Sequence, residues 1–262
     1  MTEQKIRFDD GAAYERMMGT WSRLVGEAFL DWLAPSSGLR WIDVGCGNGA
    51  FTELLVDRCA PAGVVGLDSA EGQLAFARTR PASRVAEFRH GDAMALPFAA
   101  GQFDAAVMAL VIFFVPDPAK GAAEMARVVR PGGTVAAYAW DMAGGGSPIE
   151  VFQTELRALG HKVLRAPNAD ASRLEAMRKL WSDAGLEAVE THAIEVRRTF
   201  ANFEECWTFT NEGSAVGQTT SNMAPGDIEA LKARMRARLP ADAAGRITYD
   251  ARANAVRGRV PK

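Results

Sequence analysis

Hydrophobic positions follow two different periods in the first part of the chain. Residues 14–33 carry apolar side chains at helical spacing, whereas residues 39–44 form a short apolar run that leads into a glycine-rich segment. The first spacing is typical of an amphipathic helix, and a short apolar run bounded by glycine or proline is typical of a strand. The chain is therefore predicted to begin with a helix whose apolar face covers the sheet that the first strand enters.

Strand and helix patterns then alternate as far as residue 141. The predicted strands are 39–44, 64–67, 85–89, 103–110 and 134–140. The predicted helices are 51–59, the segment from an N-capping Ser69 to about Arg80, and 119–129. Because short connections join strands and helices in turn, the pattern predicts a mainly parallel sheet covered by helices on both faces.

The pattern changes after residue 141. The segments predicted there are helices over 148–164 and 171–184, a strand over 186–199, mostly helix over 200–239 and a closing strand over 247–260. Within the last segment, residues 251–259 are predicted to form an edge strand with a basic, exposed face. The seven strands together predict an α/β fold with a doubly wound, mainly parallel, seven-stranded sheet.

We expect a single domain over residues 1–262, with its core in residues 35–141. The stretches 142–170 and 200–240 fall outside the strand and helix alternation, and they are predicted to be helical cap or lid insertions.

Composition narrows the possible partners. The 262 residues are 48% hydrophobic and 24% charged, with a formal net charge of -2. This balance suits a globular protein and offers no basic field for nucleic acid, so no nucleic-acid partner is expected. Residues 1–10 lack the apolar core of a secretory signal, and the longest apolar run, 105–115, is too short to span a bilayer. We expect a cytoplasmic protein without membrane insertion, and the oligomeric state stays open.

Cysteine and histidine are too sparse to suggest a disulfide framework or a metal site. The three cysteines, at irregular spacing, are Cys46, Cys59 and Cys206. The three histidines, which are equally dispersed, are His90, His161 and His192. Free thiols and ordinary polar positions are the expected states, and no metal is predicted.

A glycine-rich loop stands between the first predicted strand and the following helix, with the sequence Asp43-Val44-Gly45-Cys46-Gly47-Asn48-Gly49. Glycines let a backbone approach a ligand closely, and the helix start directs unpaired N–H groups at it. The dinucleotide-binding fingerprint requires a third glycine at position 50, where Ala50 stands. A tight turn without a ligand is the alternative interpretation.

Two carboxylates follow the next strands. Asp68 ends the second strand, where a carboxylate can accept hydrogen bonds from both hydroxyls of a ribose, and helix capping is the alternative role. Asp92 follows the third strand, where an acceptor can receive the exocyclic amine of an adenine. The alternative for Asp92 is an ordinary Gly-Asp turn.

Taken together, these motifs resemble the class I S-adenosylmethionine-dependent methyltransferases, especially the branch of ubiquinone-biosynthesis-type and related small-molecule enzymes. The resemblance covers residues 41–140. It depends on five features: the segment 43–49, Asp68, Gly91-Asp92-Ala93, Leu96-Pro97-Phe98 with Phe103-Asp104, and Arg130-Pro131-Gly132-Gly133. It implies a Rossmann-like methyltransferase fold, S-adenosylmethionine as cofactor of the 35–141 core, and methyl transfer to a small-molecule acceptor.

The resemblance also implies a set of cofactor-binding residues at the strand ends. They are Asp43, Gly45, Gly47, Asn48, Asp68, Ser69, Gln73, Asp92, Ala93, Ala109 and Leu110. Gln73 is polar where the family commonly has an apolar adenine contact. Tyr14 and Trp21, on the first helix, either close over the cofactor or pack that helix onto the sheet.

The acceptor side is apolar and lacks an evident base. Many relatives have histidines after the fourth strand, whereas residues 111–116 read Val-Ile-Phe-Phe-Val-Pro. We therefore expect an acceptor that is partly apolar or already nucleophilic, and we assign no catalytic residue. The candidate acceptor contacts are Phe113, Phe114, Trp207 and Phe209, with core packing as the alternative for each.

Two other functions would also use a glycine loop and a carboxylate. A nicotinamide-dependent oxidoreductase fits the spacing of the glycines poorly, and a catalytically silent S-adenosylmethionine-binding protein would keep every motif. The sequence leaves open the identity of the acceptor and the atom that is methylated.

Overall fold

A computed structural model describes residues 11–211 and 215–262, with side chains for 18–211 and 216–262. Its strands are β1 (Arg40–Val44), β2 (Gly63–Asp68), β3 (Ala86–His90), β4 (Phe103–Ala109), β5 (Val129–Trp140), β6 (Glu187–Phe200) and β7 (Ile247–Arg259). They form a seven-stranded sheet in the order β3-β2-β1-β4-β5-β7-β6. The first five strands are parallel and β7 runs antiparallel to both neighbours, which confirms the predicted fold class.

Helices cover the sheet and connect its strands. They are α1 (Gly11–Leu33), α2 (Ala50–Cys59), α3 (Glu71–Ala77), α4 (Pro118–Val128), α5 (Glu150–Ala158), α6 (Leu174–Asp183), α7 (Phe203–Asn211), α8 (Ala215–Thr220) and α9 (Pro225–Arg238). Among these described helices, none has the length and apolar content that crossing a membrane requires.

The apolar face of α1 packs against the sheet, as its spacing predicts. Val25 and Phe29 are fully buried. The Phe29 ring lies 4.6 Å from the ring of Tyr138 on β5 and 6.0 Å from that of Phe51 on α2, centroid to centroid. Burial of such aromatic surface supplies much of the free energy that holds a helix on a sheet.

The start of α3 differs from the prediction. Ser69 is not its N-cap: the helix begins after Ala70 and has no side-chain cap. The Asp68 carboxylate precedes the helix, and its Oδ1 accepts a hydrogen bond from the N–H of Ala70, the N-cap residue, at 2.8 Å. The helix ends at Ala77 rather than near Arg80, and Pro81–Arg84 forms a separate 3-10 turn.

The helix predicted over 148–164 is shorter in the structure and ends at Ala158. Gly160 adopts a left-handed φ of 83°, and the His161 N–H donates to the Leu156 carbonyl at 3.0 Å. This glycine-based end satisfies carbonyls of the last turn and stops the helix. A 3-10 turn, Ala169–Ser172, then precedes α6, so the helix predicted from 171 begins at Leu174.

The prediction that residues 251–259 form an edge strand is wrong. The strand β7 lies inside the sheet, between β5 and β6, and β6 is the edge strand. Two of the three arginines of β7 are paired with acids, Arg252 with Asp141 and Arg257 with Glu190, and the third, Arg259, donates to the Gly132 carbonyl. The alternating residues 251–259, which suggested a strand with one exposed face, include small residues such as Ala253 and Ala255 that are fully buried.

The pair formed by β6 and β7 continues beyond the end of β5. The last pair that joins β5 to β7 is Trp140 with Ala253, whereas β6 and β7 remain paired as far as Phe200 with Ile247. We call residues 196–200 and 247–251 the β6–β7 extension. It projects past the carboxyl end of β5, at the edge of the sheet where ligands bind in open α/β folds.

Candidate active site

The glycine-rich loop after β1 needs glycine for geometric reasons. Gly45 has a φ of 76° and Gly47 a φ of 53°, a conformation that side chains disfavour. A Cβ atom at Gly45 would stand 2.6 Å from both γ carbons of Val111, which follows β4. The loop after β4 therefore presses directly on the loop after β1.

Asp68 ties the glycine loop to the end of β2. The Gly47 N–H donates to Asp68 Oδ2 at 2.8 Å, while Asp68 Oδ1 receives the Ala70 N–H. Each carboxylate oxygen has two lone pairs, so the half-buried side chain can still accept from two further donors. The carboxylate thus orients the loop and keeps acceptor capacity for a ligand.

Asp43 lies beneath the same loop and is fully buried. Thr52 Oγ1 on α2 donates to Asp43 Oδ2 at 2.6 Å, but Asp43 Oδ1 has no partner among the described residues. Burial, opposed by that hydrogen bond and reinforced by the charge of Asp68, raises the pKa of Asp43 to about 7. A buried acceptor that lacks a hydrogen-bond partner is stabilised when a donor or a cation binds close by.

Asn48 and Gln73 are buried against the loop. Asn48 Oδ1 accepts from the Ala50 N–H at 3.2 Å at the start of α2. Gln73 is 3% exposed, and its Oε1 lies 3.9 Å from the position of a Cβ built on Gly47. A polar amide therefore faces the loop where the resemblance implies an apolar contact.

Asp92 leaves the same edge of the sheet as Asp68. The strands β2 and β3 are parallel neighbours, with Asp68 opposite His90, so the loops that follow them are adjacent. Asp92 is exposed and its Oδ1 accepts from the Met94 N–H at 2.8 Å, which shapes the turn that holds Ala93. Ser69 is also exposed at this edge, and its carbonyl lies 3.1 Å from His90 Nε2.

The end of β4 is strained. Leu110 is buried and has a φ of 63°, which non-glycine residues rarely adopt. Its N–H donates to the Tyr138 carbonyl on β5 at 2.8 Å, so the neighbouring strand maintains this conformation. Such strain clusters at ligand sites, and here it turns the chain after Ala109 toward the glycine loop.

The proposed acceptor contacts lie in separate groups. Phe113 is buried, and its ring lies 4.6 Å from that of Phe114. The ring of Trp207 on α7 lies 6.4 Å from Phe152 on α5, whereas Phe209 lies 5.3 Å from Phe200 on β6. The pair after β4 and the two aromatics of α7 therefore belong to different aromatic contacts.

Trp21 is fully buried, and its ring contacts Trp140 at 6.5 Å and Tyr249 at 5.3 Å. Packing thus accounts for its position, and a contact with cofactor stays a prediction. Tyr14 lies on α1, but its side chain is outside the described residues. The described residues contain no cluster of His, Cys, Asp or Glu that could hold a metal ion.

Comparison with known proteins identifies the family. A family profile described as a methyltransferase domain matches residues 42–137. A demethylmenaquinone methyltransferase from Renibacterium salmoninarum is 34% identical over 170 residues, which cover 62% of this chain and 67% of that protein. The chain belongs to the methyltransferase-domain family. The family resemblance inferred from the motifs is therefore confirmed.

Further similar proteins match this chain over different lengths. A ubiquinone/menaquinone biosynthesis C-methyltransferase from Dinoroseobacter shibae is 37% identical over 121 residues, 45% of this chain and 48% of that protein. The chain thus spans about half the length of such curated relatives. Phosphoethanolamine N-methyltransferase 2 of Haemonchus contortus, solved with S-adenosyl-L-methionine, shares the fold at a TM-score of 0.59 and 19% identity, covering 96% of this chain and 56% of that one.

Two residues of this methyltransferase-domain protein that lie near the candidate site were not predicted from the sequence. Arg80 follows α3, and its Nε donates to the Asn48 carbonyl at 2.7 Å while its Nη1 pairs with Glu53. Asp141 directly follows β5, and its Oδ2 accepts from Arg252 Nη2 at 2.6 Å. Asp141 is an acid next to the carboxyl end of a strand, as Asp68 is, so its position was a usable signal, whereas nothing in the local pattern singled out Arg80.

Proposed function

We propose that the protein is an S-adenosylmethionine-dependent methyltransferase that acts on a small-molecule acceptor. The observation that carries the proposal is the convergence of a glycine loop, the Asp68 carboxylate and the unpartnered Asp43 oxygen at the carboxyl ends of β1 and β2. Family membership supports it, and so does the shared fold of the Haemonchus enzyme solved with that cofactor.

The donors and acceptors at this edge fit the cofactor. Gly45 and Gly47 would allow the methionine part of the cofactor to lie against the backbone. The Asp43 oxygen, which lies beneath the loop, would stabilise the ammonium group of the cofactor electrostatically. Asp68 would accept from the ribose hydroxyls, and Asp92 with Ala93 would contact the adenine. Of the remaining predicted contacts, Asn48, Ser69, Gln73, Ala109 and Leu110 would complete the pocket.

When bound, the cofactor supplies a methyl group on a positively charged sulfur. The protein's task is then to align an acceptor atom with that methyl group and to exclude water, which can contribute on the order of 7 to 11 kcal/mol. Phe113 and Phe114 would form an apolar wall after β4 that excludes water. Asn168 holds this wall, because its Nδ2 donates to the Val115 carbonyl at 2.6 Å and its N–H to the Phe113 carbonyl at 3.0 Å.

The stretches 142–170 and 200–240 would act as the cap over the acceptor. They contact each other through Glu155 on α5, which pairs with Arg234 at 2.6 Å and Arg238 at 2.9 Å on α9. Phe152 and Trp207 join the same two stretches. A cap built from both stretches would move as one body when an acceptor enters.

Calorimetric titration of the purified chain with S-adenosylmethionine, S-adenosylhomocysteine and NADH tests the proposal. Binding of the first two ligands and not the third is the expected result. Preferential binding of NADH would replace the proposal with an oxidoreductase. Turnover of methyl-labelled cofactor with a panel of metabolites then separates an enzyme from a silent binding protein, which would bind without transferring label.

A further inference from the structure

The outer side of β6 has no strand beside it in the described sheet. β6 pairs with β7 alone, in an unbroken antiparallel register from Glu190 to Phe200. In such a ladder every second residue directs its N–H and C=O away from the partner strand, so the outer side presents a row of backbone donors and acceptors. For residues 191–200, no described residue forms a hydrogen bond with these outward backbone groups.

The beginning of β6 is protected against pairing with another strand. Its register with β7 is irregular between Glu187 and Glu190. The Val189 carbonyl accepts from Arg178 Nη1 on α6 at 2.8 Å. Bulges and covering side chains are means by which proteins prevent edge strands from pairing. Residues 191–200 have neither, and they contain no proline. We call residues 191–200 the open edge.

Two exposed side chains of opposite charge stand on one face of the open edge, Glu195 and Arg197. Charges on an edge strand oppose pairing unless the incoming strand places opposite charges against them. When a second copy pairs antiparallel with its centre at Val196, Glu195 of each copy lies opposite Arg197 of the other. Moving the centre by one residue places two Glu195 or two Arg197 side chains opposite each other. The open edge is therefore complementary to itself in this register.

The same register continues the order of charges on β7. Within one chain, Arg197 lies opposite Asp250 and pairs with it at 2.6 Å, and Glu195 lies opposite Arg252. A row across two copies would therefore read Asp250, Arg197, Glu195 and Arg252, with the sign alternating at each step. Two-fold symmetry produces this row twice. Each Arg197 and each Glu195 thus has an opposite charge on both sides.

We propose that two copies of this chain form a two-fold symmetric dimer by pairing their open edges, antiparallel and centred on Val196. The pairing joins two seven-stranded sheets into one continuous sheet. Backbone hydrogen bonds supply the affinity, and the cross-strand charges fix the register. This interface goes beyond the proposed methyltransferase function and does not depend on it.

Sedimentation velocity over a range of protein concentrations tests the dimer. The wild type should reach twice the mass of the chain as its concentration rises. Glu195→Arg alone places arginines opposite arginines, and Arg197→Glu alone places acids opposite acids. Each variant should raise the dimer dissociation constant about tenfold or more, because attractive cross-strand pairs become repulsive. An equimolar mixture of the two variants has opposite charges in both rows again, so the mixture should recover the dimer.

Glu187→Arg is the matched control, because Glu187 is an exposed acid on the same strand that lies outside the open edge. It should dimerise as the wild type does. Both charge-reversal variants should unfold cooperatively, with Tm within a few degrees of the wild type, since exposed ion pairs contribute little to stability.

Hydrogen exchange on the wild type supplies a second measurement that needs no variant. Exchange of the outward N–H groups of residues 192–200 should slow as protein concentration rises, because pairing with a second copy protects them. Three results overturn the proposal: a wild type that stays monomeric with exchange independent of concentration, a single variant that dimerises as strongly as the wild type, and a mixture of folded variants that stays monomeric.

Discussion

At the scale of single residues, Asp43 combines full burial with a pKa of about 7. Between its ordinary value of 3.8 and about 7, the folded chain holds a proton on Asp43 that the unfolded chain has released. The free energy of unfolding contributed by this group therefore falls as the pH rises through that window, with a slope of up to about 1.4 kcal/mol per pH unit.

The Asp43→Asn variant provides the measurement. Asparagine resembles the protonated acid and can still accept from Thr52, so its free energy of unfolding should lack this contribution. Urea denaturation at a series of pH values should show the wild type losing stability relative to the variant from pH 3.8 to about 7, and no further change above. Parallel curves for both proteins would contradict the assigned pKa.

Asp68 allows a prediction about the cofactor. Asp68→Ala removes the acceptor of the Gly47 N–H together with the proposed ribose contact. Since hydrogen bonds to a charged group contribute about 1.5 to 3 kcal/mol, affinity for S-adenosylhomocysteine should fall roughly 10- to 100-fold in calorimetry. Asp104→Ala is the control, because Asp104 accepts from Arg40 and Arg130 at the opposite end of the sheet. Equal losses for both variants would argue against a ribose contact.

At the scale of elements, Glu155 joins α5 to α9. Burial by itself would raise the pKa of Glu155, but hydrogen bonds from Arg234 and Arg238 outweigh burial and lower it. Glu155 is 8% exposed at its side chain, so this pair of contacts is shielded from solvent on the carboxylate side. Glu155 therefore couples the two proposed cap stretches, in addition to the contact between Phe152 and Trp207.

Glu155→Gln should loosen that coupling. The glutamine loses its charge, and we expect a destabilisation of about 1 to 3 kcal/mol together with faster hydrogen exchange in both α5 and α9. Asp183→Asn, which breaks the exposed pair with Lys179 on α6, should cost less than about 1 kcal/mol and leave exchange in α5 and α9 unchanged. Faster exchange in only one helix would show that the two stretches move independently.

At the scale of the whole molecule, β7 is the strand on which the second half of the sheet depends. It pairs with β5 on one side and β6 on the other, so β6 has no other neighbour in the described sheet. Trp181 on α6 adds a further connection, since its Nε1 donates to the Val135 carbonyl on β5 at 2.9 Å. Loss of β7 would expose both flanking strands.

A chain that stops after Gly245 tests this dependence. Without β7, its thermal unfolding should no longer be cooperative, because an interior strand cannot be removed without unpairing both neighbours. A chain that stops after Val260 keeps the whole of β7 and should retain the wild-type Tm within a few degrees. Cooperative unfolding of the shorter chain would mean that β7 behaves as an edge strand after all.

The order of strands and helices, and the placement of the predicted cofactor-binding residues at one edge of the sheet, could be predicted because they depend on neighbouring residues. Apolar spacing specifies which segments bury a face, and glycines beside Asp43 mark where a strand turns into a helix. The parallel arrangement then requires Asp68 and Asp92 to emerge at one edge, since right-handed helical connections leave little choice. These features of the protein were determined by the sequence alone.

Tertiary structure alone decided the features that join distant segments. The position of β7 inside the sheet, the contact of Arg80 with Asn48 and the hydrogen bond from Trp181 to Val135 each depend on partners far away along the chain. An alternating pattern indicates that a strand has two different faces, but it does not indicate which strands lie beside it. The order of charges along the chain likewise does not indicate which charged side chains form ion pairs. Those outcomes depend on packing of the complete chain, which local periodicity does not encode.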